Sequence, residues 1–184
     1  MVIMAASTGL CTVAEFLALP EDSGPTYHEL RHGAVVAVTR PKWKHHFIQK
    51  RLATLLDTAA GSSGFVSTEL AFRAVPEYDL RVADVAFVAQ HRVPGGDVED
   101  YFIGAPDLVI EVLSSSNTAS EIFDKETLCL ENGASEFWVV DPIRRQVRVS
   151  TPDRRTVAYR AGEEIPLPMF GGAKLRVNAI FDPA

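Results

Sequence analysis

Leu108-Val109-Ile110-Glu111-Val112-Leu113 is the stretch on which the fold turns. It has the length of a strand, and all of it except Glu111 is aliphatic. Runs of this kind lie in the middle of a sheet, covered on both faces. Glu111 is the anomaly within it. A carboxylate left unpaired in such surroundings costs several kcal/mol of desolvation, so it must be paired, protonated or bound to a metal.

Downstream of this run, Thr118-Ala119-Ser120-Glu121 has the spacing of a capping box. It opens a helix carrying Ile122, Phe123, Leu128, Cys129 and Leu130, which stops at Gly133. Residues 136–140 read as the next strand. Asp141-Pro142 turns the chain, and residues 146–150 return as its hairpin partner. Short extended pieces follow near 156–159 and 174–177. Upstream, residues 82–88 and 65–72 read as strands, and 91–100, with Pro94, Gly95 and Gly96, as a loop. Phe47, Ile48, Leu52, Leu55 and Leu56 follow Pro41 at helical spacing, and Gly61 and Gly64 end that helix. Gly33 turns the chain into a strand over 34–38. A second capping box, Thr12 to Glu15, opens a short helix that Pro20 stops. There is no internal repeat, low-complexity segment or linker. The expectation is one mixed α/β domain over 1–184.

The bulk composition agrees. With 184 residues and 47% hydrophobic content the chain suits one domain with a substantial core. Cys11 and Cys129 alone make neither a disulfide framework nor a zinc spacing, which points to a reducing cytoplasm. Residues 1–20 lack a basic leader, and no run approaches the ~18–20 apolar residues of a membrane span. The expectation is a soluble protein.

A net charge of −6 provides no overall attraction for phosphates. The distribution matters more. Arg40, Lys42, Lys44, Lys50 and Arg51 cluster around Trp43, His45 and His46, and Arg144, Arg145, Arg148, Arg154 and Arg155 form a second group. Each group is read equally well as a solvated, salt-bridged face or as a phosphate-facing one.

Asp84 repeats the anomaly of Glu111, between Val82-Ala83 and Val85-Ala86-Phe87. Two like charges on neighbouring strands call for a hard cation, unless each has its own counter-ion. A cation held by two carboxylates and a backbone carbonyl keeps positions open for water and substrate. It can polarise a phosphoryl oxygen and acidify bound water. Lys125, on the helix after the Glu111 strand, can reach back over the strand end, although in isolation it reads as a surface lysine. His45 is a helix-opening cap or a contact to phosphate or carboxylate. Glu69 is a surface residue or an auxiliary ligand, Asp107 ends a loop, and Trp138 belongs to the core.

These residues carry a resemblance. Glu29-Leu30-Arg31-His32-Gly33, His45, Ala83-Asp84-Val85-Ala86-Phe87, the run from Ala105-Pro106-Asp107 to Ser114, Lys125, and the run from Gly133-Ala134 to Asp141-Pro142 occur in order. In that order and spacing, over about 27–181, the chain resembles the PD-(D/E)XK nuclease superfamily and, within it, the Uma-type restriction endonuclease family. The resemblance implies a restriction-endonuclease-like mixed β-sheet flanked by helices, and Mg²⁺- or Mn²⁺-dependent hydrolysis of DNA phosphodiesters. It assigns Asp84 and Glu111 as catalytic metal ligands and Lys125 as the catalytic lysine. The superfamily's usual lysine position is here Leu113, so Lys125 stands as a lysine displaced onto the helix. Ala83 stands where the family usually has proline. His45 and Lys44 become substrate contacts, and family analogy implies a homodimer. Two other readings remain. One is a nuclease-like fold that only binds nucleic acid or a protein partner. The other is a glycoside hydrolase that uses the two carboxylates as acid and base.

Overall fold

The structure is a computed structural model and describes residues 9–20, 24–95 and 99–182. The chain begins with α1 (Val13–Leu17), the hairpin strands β1 (Thr26–Arg31) and β2 (Ala34–Thr39), and α2 (Trp43–Ala60). Next come β3 (Gly64–Arg73), β4 (Arg81–Ala89), β5 (Phe102–Ile103), β6 (Leu108–Val112), α3 (Ala119–Glu131), β7 (Glu136–Asp141) and β8 (Gln146–Ser150). It ends with β9 (Thr156–Arg160), β10 (Glu164–Leu167), β11 (Ala173–Arg176) and α4 (Val177–Phe181).

Seven strands form one mixed sheet in the order β5-β3-β4-β6-β7-β8-β9. β6 pairs antiparallel with β4 and parallel with β7. Parallel neighbours need a long crossover, and α3 provides it. Ile48, Leu52 and Leu56 of α2 cover one face of the sheet, together with Val85, Phe87, Ile110 and Trp138. Ile122, Leu128 and Cys129 of α3 cover the other, with Ala83, Val109 and Phe137. Every residue of β6 is buried between these layers, as its aliphatic composition requires. Trp138 is a core residue at 0% exposure. Among the described residues no helix is long and apolar enough to cross a membrane.

The two capping boxes form as read, with Thr12 and Thr118 each accepting from the N–H three residues on while the matching glutamate reaches back. Thr118 fixes the start of the helix that carries Lys125. Thr118→Ala is expected to cost about 1 kcal/mol, measurable as a lowered urea midpoint at unchanged slope.

Three strands were not anticipated. β1 has no clean alternation in Thr26-Tyr27-His28-Glu29-Leu30-Arg31; it pairs along its length with β2 and makes one bridge, Leu30 to Leu80. Its turn, His32-Gly33, has φ of +48° and +74°, the two positive values of a tight I′ hairpin. β5 has only two residues, and β10 contains Pro166, a residue confined to sheet edges. The loop expected over 91–100 starts with a 3-10 turn at Gln90–Arg92, and its residues 96–98 lie outside the described ones.

Candidate functional site

The site begins where the β4–β6 ladder stops. Pairing runs Phe87–Leu108, Ala86–Val109, Val85–Ile110, and the next step in that register sets Asp84 directly across from Glu111. There the strands exchange side-chain bonds for ladder bonds. Oδ2 of Asp84 accepts the N–H of Val112 at 2.7 Å, and the Asp84 N–H points at Oε1 of Glu111 at 3.5 Å. On the other side of β4, Thr68 and Leu70 pair with Val85 and Ala83, so Glu69 faces Asp84. Glu69 has φ +52°, an uncommon conformation for a residue with a side chain. The facing pattern of β4 also slips here. Ala83 joins the core beside α3, while Val85 and Phe87 join the one beside α2. This irregularity carries Asp84 off the α3 face, to the side from which α2 approaches.

Lys125 comes from α3 and is 7% exposed, as is Glu111. The reading of a surface lysine is therefore corrected: its position on the helix places it over the open end of the ladder. Its Nζ lies 2.7 Å from Oε1 of Glu111 and donates to the Val82 carbonyl at 2.6 Å. Glu29 of β1 is also buried. It accepts the Val82 N–H at 3.0 Å and the Arg31 guanidinium at 2.9 Å. Burial alone would lower the Lys125 pKa, but Glu111, Glu29 and Asp84 outweigh it and hold the ammonium charged above its ordinary range. Burial pushes the Glu111 carboxyl up to about 7; Lys125 pulls it down and Asp84 adds to the rise. Burial is thus the main cause of the Glu111 shift, whereas the neighbouring carboxylates are what keep Lys125 charged.

The opening of α2 supplies the other wall. Gln49 is buried on the same helix as Ile48 and Leu52, and its amide donates to Oδ1 of Asp84 at 3.0 Å. Nε2 of His45 lies 3.0 Å from the same oxygen, off the axis of a good hydrogen bond, and neither ring nitrogen has a hydrogen-bond partner among the described residues. Burial lowers the His45 pKa, but Asp84 and Glu111 outweigh it and raise the value overall. Nδ1 of His46 lies 3.0 Å from the Gln49 side-chain oxygen and 3.6 Å from Glu69. Lys44 lines the same cleft without touching the carboxylates. Asp107 lies elsewhere, accepting the Ala89 N–H and pairing with Arg92.

A second charged cluster, buried at Arg81 and Asp79 and open at Asp124 and His32, braces α3. Arg81 bonds Asp79 at 2.9 Å and Asp124 at 3.0 Å, and His32 in the hairpin turn reaches the other oxygen of Asp124 at 2.7 Å. Sequence reading missed Glu29, Gln49 and Arg81. Gln49 had left a signal, a polar residue on the apolar stripe of an amphipathic helix at i+4 from His45. Glu29 and Arg81 acquire their long-range partners, the Val82 N–H and Asp124, through the β1–β4–α3 arrangement.

With these positions in hand, comparison with known proteins is informative. The profile of the Uma2 family, described as "Putative restriction endonuclease", matches residues 13–178. The chain belongs to the Uma2 family. A solved structure described as a "putative nuclease belonging to DUF820", from Anabaena variabilis, superposes with a TM-score of 0.80 at 24% identity. The match covers 92% of this chain and 97% of that one. It establishes the shared fold. No curated protein matches the chain.

In this Uma2 member Asp84 and Glu111 fit a hard divalent cation. They offer carboxylate oxygens from adjoining strands, with Lys125 paired to Glu111 and His45 close to Asp84. Among the described residues no cluster of three or more His, Cys, Asp or Glu is set for metal. A pair of carboxylates suits Mg²⁺, which keeps several waters and takes only one or two protein carboxylates. Gln49 orients one of the two donors. Gln49→Ala is expected to weaken Mn²⁺ binding by about 10–100-fold, read by calorimetric titration, with little loss of folding.

Proposed function

We propose that this chain, as a single restriction-endonuclease-like unit over 1–184, is a metal-dependent endonuclease that hydrolyses DNA phosphodiester bonds. The observation that carries the reading is that Asp84 and Glu111 meet where the β4–β6 ladder ends, the Asp84 N–H pointing at Glu111 and the Lys125 ammonium lying on Glu111. Asp84 and Glu111 would hold Mg²⁺ or Mn²⁺. When bound, the ion supplies Lewis-acid polarisation of the phosphoryl group and a more acidic water. Gln49 and His45 keep the Asp84 carboxylate turned inward. Lys125 is held charged, so it does not accept the proton of the attacking water. It acts as a fixed donor that favours negative charge developing on the phosphoryl oxygens. The cleft above these groups has a volume of about 560 Å³, and Arg40, Lys42 and Lys44 line it. His45 and Lys44 would meet a phosphate of the substrate. Two copies acting together would cut both strands, and a reducing cytoplasm suits the buried thiol of Cys129.

The test is cleavage of plasmid and of single-stranded oligonucleotide DNA by purified protein with Mn²⁺, with Mg²⁺ and with chelator. Cleavage of either substrate that needs the metal and disappears in Asp84→Ala and Glu111→Ala supports the reading. Absence of cleavage, or cleavage that persists in both variants, overturns it.

A further inference from the structure

The two basic groups seen in the sequence differ once folded. Four of the second group are matched by carboxylates: Arg144 with Asp141, Arg145 with Asp182, Arg148 with Glu126, and Arg155 with Asp153. At the start of α2 the situation is reversed. Among the described residues no carboxylate lies within ion-pair distance of Arg40, Lys42 or Lys44, and Trp43 stands between the two lysines at 85% exposure. The Arg40 guanidinium lies 5.8 Å from the centre of the Tyr27 ring, an aromatic–cation pair beside the exposed Trp43 segment. Arg40, Lys42, Lys44 and Tyr27 all border the cleft that contains Asp84 and Glu111.

We infer that this lip, Arg40 to Lys44, grips a single DNA strand with an unpaired base stacked on Trp43, so the protein prefers single-stranded or locally unpaired DNA to intact duplex. The inference rests on the reading of the cleft as a DNA site and names the form of DNA it takes. Unmatched cations call for an anionic partner, and interleaved aromatics call for one with exposed π-faces. A nucleic-acid strand with unpaired bases has both. In a duplex the base faces are stacked inside and closed to an indole. The cleft volume of about 560 Å³ falls within the ~300–1,000 Å³ of sites for small ligands, enough for a nucleotide-sized piece of strand rather than a double helix. Chain order supplies the alignment. Lys42 and Lys44 lead directly into His45, whose ring touches Asp84, so a strand held by the lysines passes its backbone towards the two carboxylates.

The fluorescence of the intact protein reads this directly, because its two tryptophans are Trp43 at 85% exposure and Trp138 at 0%. In chelator, a single-stranded oligodeoxynucleotide is expected to quench the exposed emission, and the duplex of the same sequence to quench it far less. Trp43→Ala should weaken single-strand binding by about 5–100-fold and leave duplex binding unchanged, with Trp43→Phe restoring most of the loss. Lys42→Ala and Lys44→Ala should weaken both. Equal quenching by the two forms, no binding of the single strand, or unchanged single-strand affinity in Trp43→Ala would overturn the inference. Because binding is measured without metal, the two readings can fail separately. Trp43-dependent single-strand preference without any cleavage removes the nuclease and keeps the lip. Metal-dependent cleavage without that preference does the reverse.

Discussion

Replacing Lys125 with methionine is expected to destabilise the protein by about 3–5 kcal/mol above neutral pH, as measured by chemical denaturation. The methionine fills much the same space, so the loss is electrostatic. It leaves Glu111 buried beside Asp84 without the ammonium that lies 2.7 Å away in the native protein, and it leaves the Val82 carbonyl without its donor. The effect has a defined pH dependence. Burial already pushes Glu111 from its ordinary 4.5 up to about 7, and Lys125 is the largest influence pulling it down. Without that ammonium the value rises further. A carboxyl whose folded pKa lies above its unfolded one favours folding fully below the unfolded value, and that contribution is lost as pH rises through the folded one. The deficit of Lys125→Met should therefore be smallest near pH 4.5 and grow through and beyond pH 7. A deficit independent of pH would mean that the lysine contributes packing alone.

Loss of either acid is the second large effect. Asp84→Ala and Glu111→Ala are each expected to weaken Mn²⁺ binding by more than about 100-fold, beyond what removing a supporting residue such as Gln49 does. The two substitutions differ in their effect on stability. Asp84 accepts bonds from Gln49 and the Val112 N–H, so alanine there leaves two donors unsatisfied where the strands part. Glu111→Ala leaves the Lys125 ammonium buried without its ion-pair partner, although Glu29 and Asp84 still favour its charge. Both proteins should fold less stably than wild type yet retain the same circular dichroism. That separates lost metal binding from lost structure. Near-native Mn²⁺ affinity in either variant would place the metal elsewhere.

The sheet was legible because its centre has one composition and one environment. The β6 run is aliphatic since both of its faces are covered, and the capping boxes at Thr12 and Thr118 mark helix starts with local chemistry alone. Asp84 and Glu111 were legible for the converse reason: a carboxylate inside an apolar strand conflicts with its surroundings and must be resolved by a partner. Lys125 was not. Its neighbours in sequence are those of an ordinary helical lysine, and only the position of α3 over the open ladder buries it against Glu111. The resemblance to a known family pointed to it first. Glu29 and Arg81 were hidden for a similar reason: besides a near neighbour each, Glu29 bonds the Val82 N–H and Arg81 bonds Asp124, both far away in sequence. The contrast between the two basic groups was equally invisible. Whether an arginine is matched depends on which carboxylate folds next to it.

The central claim is that Asp84 and Glu111 together form a divalent-metal site under the Lys125 ammonium. The most direct test is a crystal soaked in Mn²⁺, with the anomalous scattering of the ion mapped. One strong peak is expected, bonded to a carboxylate oxygen of each of Asp84 and Glu111, with the Lys125 nitrogen beside it and water completing the coordination. A map without a peak there, or with the ion on other residues while Asp84 and Glu111 keep their bonds to Gln49 and Lys125, would contradict it.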